Sequence, residues 1–319
     1  MSFKIQPVIA DASFRSFYRL LLNKKKRIIV ISRREKYKNL VAYCAVNNHL
    51  RKNKILSPKL FNHDLKNGII VIEDFGKTSF YKILTNKKNK IKTYKKIVDL
   101  LIKIQKIKPK SKIKSIINKP HAIKNYSNDY LHKESDLFFD WYLPLFFKKQ
   151  KVKEIKKNIK KNLIKLYKKL INSNKCFVHK DFHVQNLMKV GNRIGLIDTQ
   201  DALIGNPAYD LASLIDDVRI KTTGKLKNQI YKYYIKKNSK INKDDFFLNF
   251  NILSVQRSLK IIGIFSRLYV RDKKDKYLKL IPHAWKLLES RMATEVFSEL
   301  KKNLDKNIPK VVRKKIINK

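Results

Sequence analysis

Two short apolar segments near the middle of the chain, each followed at once by polar residues, constrain its fold more than any other feature. The first is residues 176–178, which precede the run His-Lys-Asp-Phe-His-Val-Gln-Asn, and the second is residues 194–197, which precede Asp198. Gly191 and Asn192 give a turn signal just before the second segment. Short apolar runs bounded by turns predict buried strands. The loops after them are where a rigid scaffold can present reactive side chains.

Three residues in these loops form a pattern typical of phosphoryl transfer. Asp181 can orient a hydroxyl group and accept its proton, while Asn186 and Asp198 can supply oxygen ligands to Mg²⁺ on nucleotide phosphates. In isolation, Asp181 would be explained as the cap of a short helical turn that begins near Val184. The joint pattern favours the catalytic interpretation, with Asp181 as the base and the other two as metal ligands.

Two histidines flank Asp181. We expect His179 to hydrogen-bond backbone groups and hold the loop rather than to take part in the chemistry. His183 lies between the predicted base and a predicted metal ligand, and its position is equally compatible with a substrate contact and with packing.

The region before residue 77 reads as a small sheet that carries one helix. Residues 14–22, 28–31 and 69–72 are rich in β-branched, aromatic or other apolar residues and predict strands. Residues 37–50 have apolar side chains at helical spacing, and Asn67-Gly68 predicts a hairpin turn.

From Ser79 onward the pattern is mostly helical, with apolar residues at three- and four-residue spacing in residues 97–107, 155–171 and 246–268. We therefore predict an α+β fold with two lobes. Residues 1–76 form a β-rich nucleotide-binding lobe, and residues 77–319 form a larger helical lobe for catalysis and acceptor binding.

The net charge of +50 is the most unusual property of the composition. Lysine is spread from end to end with many Asn and Ile, as A/T-rich codons would give, whereas nucleic-acid-binding proteins usually cluster Arg and Lys on one face. We therefore predict no specific nucleic-acid partner. Only two cysteines are present, Cys44 and Cys176, and neither a signal peptide nor a membrane span is evident. These features predict a cytoplasmic protein without membrane association. We also expect it to be a monomer.

The chain resembles the aminoglycoside phosphotransferase superfamily and, within it, the bacterial cell-wall kinases that phosphorylate the anomeric hydroxyl of N-acetylmuramate and N-acetylglucosamine. The resemblance covers nearly the whole length. It is carried by the motifs above and by six stretches: residues 11–19, 73–76, 140–143, 197–202, 209–214 and 256–268.

The resemblance implies a kinase-like two-lobed fold that uses ATP and Mg²⁺ in amino-sugar recycling from the cell wall. It places a phosphate-covering turn at residues 11–14, with Ser13, Phe14 and Arg15 as nucleotide contacts. It also places an interlobe hinge that meets the adenine at Glu73, Asp74 and Phe75. The candidate contacts to the acceptor are His183, Asp201, Gln256 and Arg257.

The predicted third strand differs from the general kinase pattern. Residues 28–31 contain no lysine for the phosphates, and the following helix contains no glutamate to pair with it. The joint loss is physically coherent, because losing only one partner would leave a partly buried charge unpaired. Arg33 or Arg34 could reach the phosphates instead.

For the acceptor, Arg257, Lys260 and Arg267 recur at helical spacing and would suit a molecule that carries a carboxylate. Ion pairs with Asp216 or Asp217 are an equally good explanation. A polycationic aminoglycoside fits so basic a chain less well. Two alternative functions remain open here: a kinase of another small alcohol, such as an aminoglycoside or choline, and a nucleic-acid-binding protein on a kinase scaffold.

Overall fold

The computed structural model describes residues 3–8, 15–22, 25–33, 37–171 and 175–315. Contacts between residues divide the chain into two compact units. The first unit comprises Met1–Asn125 and Lys175–Ile204, and the second comprises Tyr126–Asn174 and Gly205–Lys319. These units are not the same division as the predicted lobes, whose boundary after residue 76 stays a prediction.

The first unit begins with an antiparallel sheet in the order β1-β2-β3-β5-β4. Its strands are β1 Phe3–Val8, β2 Ser16–Leu22, β3 Lys25–Ile31, β4 Leu60–Asp64 and β5 Ile69–Glu73. Helix α1, Tyr37–Lys52, joins β3 to β4. Strands β3 and β5 and helix α1 bury one apolar cluster: Val30, Leu40, Tyr43, Cys44, Ile70 and Ile72. This arrangement confirms the predicted sheet and helix.

Gly68 shows why the predicted hairpin turn needs a glycine. Its φ is +69°, a conformation that strains other residues, and an added Cβ would lie 2.3 Å from the carbonyl oxygen of Ser32. The carbonyl of Gly68 in turn accepts a 2.8 Å hydrogen bond from the Ser32 N–H. The turn therefore fixes the end of β3 as well as the β4–β5 hairpin.

The rest of the first unit contains two helices and short strands. The helices are α2 Phe80–Thr85 and α3 Ile91–Gln105. The strands are β6 Lys112–Ile113, β7 His121–Ala122, β8 Cys176–Val178, β9 Leu187–Val190, β10 Arg193–Leu196 and β11 Leu203–Gly205. Both strands predicted near the middle of the chain are present, and Gly191 makes the β9–β10 turn with φ +56°.

The second unit is helical in the residues that the structure describes. Its helices are α4 Asn128–Leu137, α5 Lys149–Lys168, α6 Ala208–Ile215, α7 Gly224–Lys237, α8 Lys243–Val270, α9 Ile281–Arg291, α10 Ser298–Asn307 and α11 Lys310–Lys314. Together with the sheet of the first unit, they confirm the predicted α+β class. No described helix has both the length and the apolar character needed to cross a membrane.

Helix α8 forms the centre of the second unit, with most of its residues buried. Gly263 lies where this helix touches the end of α4, because an added Cβ would lie 2.3 Å from the backbone carbonyl carbon of Leu137. The backbone of residues Phe138–Tyr142 continues α4 as a single π-helical turn. The close approach of these two elements therefore depends on the absence of a side chain at Gly263.

Candidate active site

The β9–β10 hairpin aligns two of the predicted site residues. Leu187 pairs with Leu196 in this hairpin, and the N–H of Ile197 donates to the carbonyl of Asn186 at 3.0 Å. Asn186 and Asp198 therefore lie beside each other at the open end of the hairpin. The strand register accounts for their proximity, although they are twelve positions apart in the sequence.

The His179 ring connects the two loops of the site. It is fully buried, with Nδ1 accepting from the Asp181 N–H at 3.2 Å and Nε2 lying 3.0 Å from the carbonyl of Ile197. Because Nδ1 accepts the first bond, it is unprotonated. The proton therefore lies on Nε2, which donates a hydrogen bond to the carbonyl of Ile197. This confirms the prediction that His179 bonds backbone groups.

Asp181 lies in a loop whose backbone is held from both sides. Its carbonyl accepts from the N–H of His183 at 2.9 Å and from Nδ2 of Asn186 at 3.0 Å. The short 3₁₀ turn Val184–Asn186 begins after His183 and has no side-chain cap, so the alternative explanation of Asp181 as its cap does not apply. The Asp181 residue remains partly exposed at this position.

Asp198 adopts φ +63°, an uncommon conformation for a residue other than glycine. Its Oδ1 accepts from Arg15 Nη2 at 2.8 Å and from Gln200 Nε2 at 3.0 Å. Its side chain is still 38% exposed. In the described part of the chain no group donates to its second carboxylate oxygen, Oδ2, so this oxygen is left for a ligand.

Of the three nucleotide contacts predicted at the phosphate turn, Arg15 falls within the described residues, and Ser13 and Phe14 lie outside them. Its side chain is only 6% exposed, and its guanidinium lies 5.5 Å from the ring centre of Phe17 and 5.7 Å from that of Tyr43. These aromatic contacts and the ion pair with Asp198 fix the guanidinium in place. Sequence reasoning did not predict this pair.

Helix α1 has no acidic residue, as predicted, but a neutral link joins it to the Asp198 loop. Asn47 is buried, and its Oδ1 accepts a 2.8 Å hydrogen bond from the hydroxyl of Thr199. Sequence reasoning missed this contact. The available signal was an Asn at a position where the helical spacing calls for an apolar residue. Of the two arginines proposed for the phosphates, Arg33 is exposed and Arg34 lies outside the described residues.

The predicted hinge uses its acidic side chains for structure. Glu73 accepts from Arg51 at 3.2 Å, and the buried carboxylate of Asp74 is paired with Arg19. The ring of Phe75 packs against Gly195, where an added Cβ would lie 2.6 Å from it. Only backbone groups of this segment are therefore suited to the adenine contacts that the resemblance implies.

The four predicted acceptor residues divide between the two units. His183 and Asp201 belong to the first; His183 is buried, with Nε2 3.5 Å from Asn186 Nδ2, and Asp201 is exposed and accepts from Gln200. Gln256 and Arg257 belong to the second. Gln256 is fully buried and donates to the Leu131 carbonyl and to Glu134, both at 3.3 Å.

The alternative expectation that Arg257 would form an ion pair with Asp216 or Asp217 is wrong for the described structure. Arg257 donates only a long 3.4 Å bond to the backbone carbonyl of Asp216. The Asp216 carboxylate is taken by other groups: Arg291 at 2.8 and 3.0 Å, Lys227 at 2.8 Å and Ser254 at 2.6 Å. Burial alone would raise the pKa of Asp216, but its two cationic partners outweigh burial and lower it to about 2.

A family model described as the phosphotransferase enzyme family matches residues 4–240. An N-acetylmuramate/N-acetylglucosamine kinase of Pseudomonas aeruginosa is 27% identical over 293 residues, which cover 90% of this chain and 83% of that protein. A protein of the same name from Neisseria meningitidis serogroup B is 26% identical over 279 residues, covering 86% and 81%.

A solved structure shares the fold at low identity. It is a thermostable mutant of aminoglycoside phosphotransferase APH(4)-Ia in a ternary complex with AMP-PNP and hygromycin B. Its TM-score is 0.63 at 10% identity, and the alignment covers 91% of this chain and 95% of that one. The likeness confirms the predicted kinase-like fold.

Proposed function

The chain belongs to the phosphotransferase enzyme family, and on this premise we propose that it transfers the γ-phosphoryl group of ATP to the anomeric hydroxyl of an N-acetylated amino sugar. The observation that carries the proposal is the hairpin end, which holds Asp181, Asn186 and Asp198 in one backbone network. The names of the two relatives support N-acetylmuramate and N-acetylglucosamine as acceptors.

Asp181 is the proposed base. Its carbonyl accepts two hydrogen bonds, which fix the backbone that carries the proposed base. An anomeric hydroxyl is more acidic than an ordinary alcohol. A single positioned carboxylate can therefore align it and accept its proton late in the transfer.

Asn186 and Asp198 would hold Mg²⁺. Because Nδ2 of Asn186 is bonded to the Asp181 carbonyl, its amide oxygen is the atom left for a cation, and the Asp198 carboxylate keeps one oxygen without a donor among the described residues. Amide and carboxylate oxygens are the ligands that Mg²⁺ prefers. When bound, the ion supplies positive charge against the nucleotide phosphates.

ATP is the proposed phosphoryl donor. Support comes from the fold shared with a structure that holds AMP-PNP, and from the hinge, whose backbone groups remain for the adenine while Arg19 and Arg51 bind its carboxylates. Arg15 completes the nucleotide side of the site with a buried positive charge.

We further propose that the enzyme acts as a cytoplasmic monomer in the recycling of cell-wall sugars. Both cysteines are buried and unpaired with each other, which suits a reducing compartment. Light scattering of the purified protein tests the monomer directly.

The decisive experiment offers N-acetylmuramate, N-acetylglucosamine and their 1-O-methyl glycosides to the enzyme with Mg-ATP. We expect phosphorylation of the reducing sugars and none of the glycosides, because the glycosides lack the anomeric hydroxyl. Equal turnover of a sugar and its glycoside would overturn the anomeric assignment. Absence of turnover with either sugar would overturn the amino-sugar proposal.

A further inference from the structure

The backbone before Asp198 is held in place by other parts of the first unit. The φ of +63° at Asp198 is an uncommon conformation that persists only where surrounding bonds enforce it. The N–H of Leu196 donates to the carbonyl of Leu56, in the segment after helix α1, at 2.8 Å. The carbonyl of Ile197 lies 3.0 Å from Nε2 of the buried His179 ring. These bonds fix the strand that leads into the predicted metal ligand.

On the side that follows Asp198, a single side chain links the loop to helix α1. The hydroxyl of Thr199 donates to Oδ1 of Asn47 at 2.8 Å, and both residues are buried. The carbonyl of Thr199 also accepts from the N–H of Ala202 at 3.2 Å, but that bond lies within the same turn. The bond to Asn47 therefore ties the residue after Asp198 to a different element of secondary structure.

Asn47 is itself fixed well enough to serve as an anchor. Its backbone carbonyl accepts a 2.9 Å hydrogen bond from the hydroxyl of Ser57, which is fully buried. Its side chain also hydrogen-bonds that of Tyr43, one turn earlier in α1. The guanidinium of Arg15, which binds the Asp198 carboxylate, lies 5.7 Å from the centre of the Tyr43 ring. Helix α1 therefore contacts both the Asp198 loop and the cation that pairs with Asp198.

Stability alone does not explain why Asn47 and Thr199 are polar. Replacing both partners of a buried hydrogen bond by apolar groups of the same shape can be nearly neutral for stability. Apolar side chains would fill the same space, but they would not hold the Thr199 backbone in one orientation. A short hydrogen bond is directional and does so. The pair is therefore better explained by positioning than by packing.

We propose that Asn47 is a positioning residue that holds Asp198, through Thr199, in the orientation that binds Mg²⁺. This inference rests on the proposed function, which makes Asp198 a metal ligand, and it assigns a role to a residue of helix α1. In the general kinase pattern, a glutamate of this helix pairs with a lysine at the phosphates. In this chain the helix is coupled instead to the metal-ligand loop, through a neutral hydrogen bond.

The first test measures how much Mg²⁺ strengthens the binding of AMP-PNP, in fluorescence titrations with and without the ion that need no sugar. Thr199→Val keeps the shape of the side chain and removes its hydroxyl. It should reduce the Mg²⁺-dependent gain in affinity about tenfold, because groups that orient a metal ligand affect metal binding by at least this factor. The affinity for AMP-PNP without Mg²⁺ should stay within about twofold of wild type.

An unchanged gain in Thr199→Val would overturn the inference. An equal loss of AMP-PNP affinity with and without Mg²⁺ would also overturn it, because that result indicates damage to the nucleotide site as a whole. If Mg²⁺ gives wild type no gain, the metal role of Asp198 fails together with the inference. A wild-type protein that shows the gain but phosphorylates no amino sugar would refute the acceptor assignment alone.

The second test separates the hydroxyl from the rest of the side chain. Thr199→Ser retains the hydroxyl and should keep the Mg²⁺-dependent gain within about twofold of wild type. Asn47→Leu should show the same loss as Thr199→Val, and the double variant should lose no more than either single variant. A loss in Thr199→Ser as large as that in Thr199→Val would contradict the role of the bond, as would additive losses in the double variant.

Ser57→Ala is the matched control, because it removes another buried hydrogen bond to Asn47, at the backbone carbonyl rather than at the side chain. It should lower the melting temperature about as much as Thr199→Val does and leave the Mg²⁺-dependent gain unchanged. An equal loss of the gain in this control would show that the gain follows stability, against the inference. If Thr199→Val does not fold, the double variant, which leaves neither partner unsatisfied, decides.

Discussion

Two aspartates, one in each unit, differ in the burial of their carboxylates and in the hydrogen bonds that these accept. Asp216 is 2% exposed in its side chain, and four hydrogen bonds from three partners occupy both of its oxygens. The side chain of Asp198 is 38% exposed and, among the described residues, accepts through one oxygen, from Arg15 and Gln200. Hydrogen bonds from the protein therefore satisfy both oxygens of Asp216. At Asp198, one oxygen remains for a bound ligand.

The difference separates stability from function. A carboxylate with every lone pair engaged stabilises the fold and has nothing to offer a ligand. The loops around Asp198 instead adopt uncommon backbone conformations, with φ +63° at Asp198 and +78° at Lys180. Such conformations persist where surrounding bonds enforce them, and they gather at functional sites. The hairpin end should therefore tolerate substitution structurally while losing activity, and the Asp216 cluster should do the opposite.

The largest expected effect is on catalysis. Asp181→Asn should lower kcat about 10³-fold, or about 4 kcal/mol, because the amide cannot accept the hydroxyl proton. Its melting temperature and its affinity for ATP should stay near those of wild type, since the Asp181 backbone carbonyl makes the bonds that hold the loop. Steady-state kinetics and nucleotide titration measure both. A variant with full turnover would remove Asp181 from the mechanism.

The next largest effect is on stability. Asp216→Asn leaves Lys227 and Arg291 buried beside a neutral group, and should lower the free energy of unfolding by about 3 kcal/mol. Glu154→Gln, which removes an exposed partner of Lys151, is the control and should have no resolvable effect. Denaturant titration compares the two. Equal stability of the two variants would contradict the contrast between a buried and an exposed pair.

A pH titration should reveal the same cluster. Because the pKa of Asp216 falls from 3.8 to about 2 on folding, its stabilising effect is complete above pH 4 and is lost as the pH falls from 4 toward 2. The stability difference between wild type and Asp216→Asn should shrink over this window by about 2 kcal/mol. The variant serves as the reference that cancels other acid effects. A difference that stays constant down to pH 2 would refute the assignment.

The smallest predicted effect is on ligand affinity, which one substitution should lower for one ligand and raise for another. Arg15→Met should weaken ATP binding about tenfold, because it removes a buried cation from the nucleotide side. It should strengthen binding of Mn²⁺ without nucleotide, because Oδ1 of Asp198 loses its guanidinium partner. Fluorescence and paramagnetic resonance titrations give the two constants. A change of the same sign in both would show that Arg15 only supports the fold.

Local features of the fold could be predicted from the sequence. Strand β8, the β9–β10 turn and helix α1 follow from apolar runs, glycines and helical spacing. The residue pattern gave no bounds for strand β1, because Pro7 and exposed polar residues weaken it; this strand lies at the sheet edge, where proline is tolerated. Helix α5 begins at Lys149, before the predicted residue 155, since its first turn has no apolar repeat.

The sequence groups three residues into one candidate site, and the structure brings them together, but the partners of their side chains could not be predicted. Asp181, Asn186 and Asp198 carry a spacing that the hairpin register explains. The bonds from Arg15 to Asp198 and from Arg291 to Asp216 join residues 183 and 75 positions apart. Such partners are selected by packing, and many other lysines and arginines in this chain would look equally suitable in the sequence. The same reason explains the wrong expectation for Arg257.

The first unit is built from two separate stretches of chain, Met1–Asn125 and Lys175–Ile204. As the protein leaves the ribosome, the sheet can form early, but the stretch that contains Asp181, Asn186 and Asp198 follows only after the intervening residues of the second unit have been synthesised. Until then, Asp198 and Thr199, which bond to Arg15 and Asn47, have not been synthesised. A nascent chain that stops before residue 175 would therefore expose an incomplete unit to chaperones and proteases. Kinase activity becomes possible only when most of the polypeptide has been made.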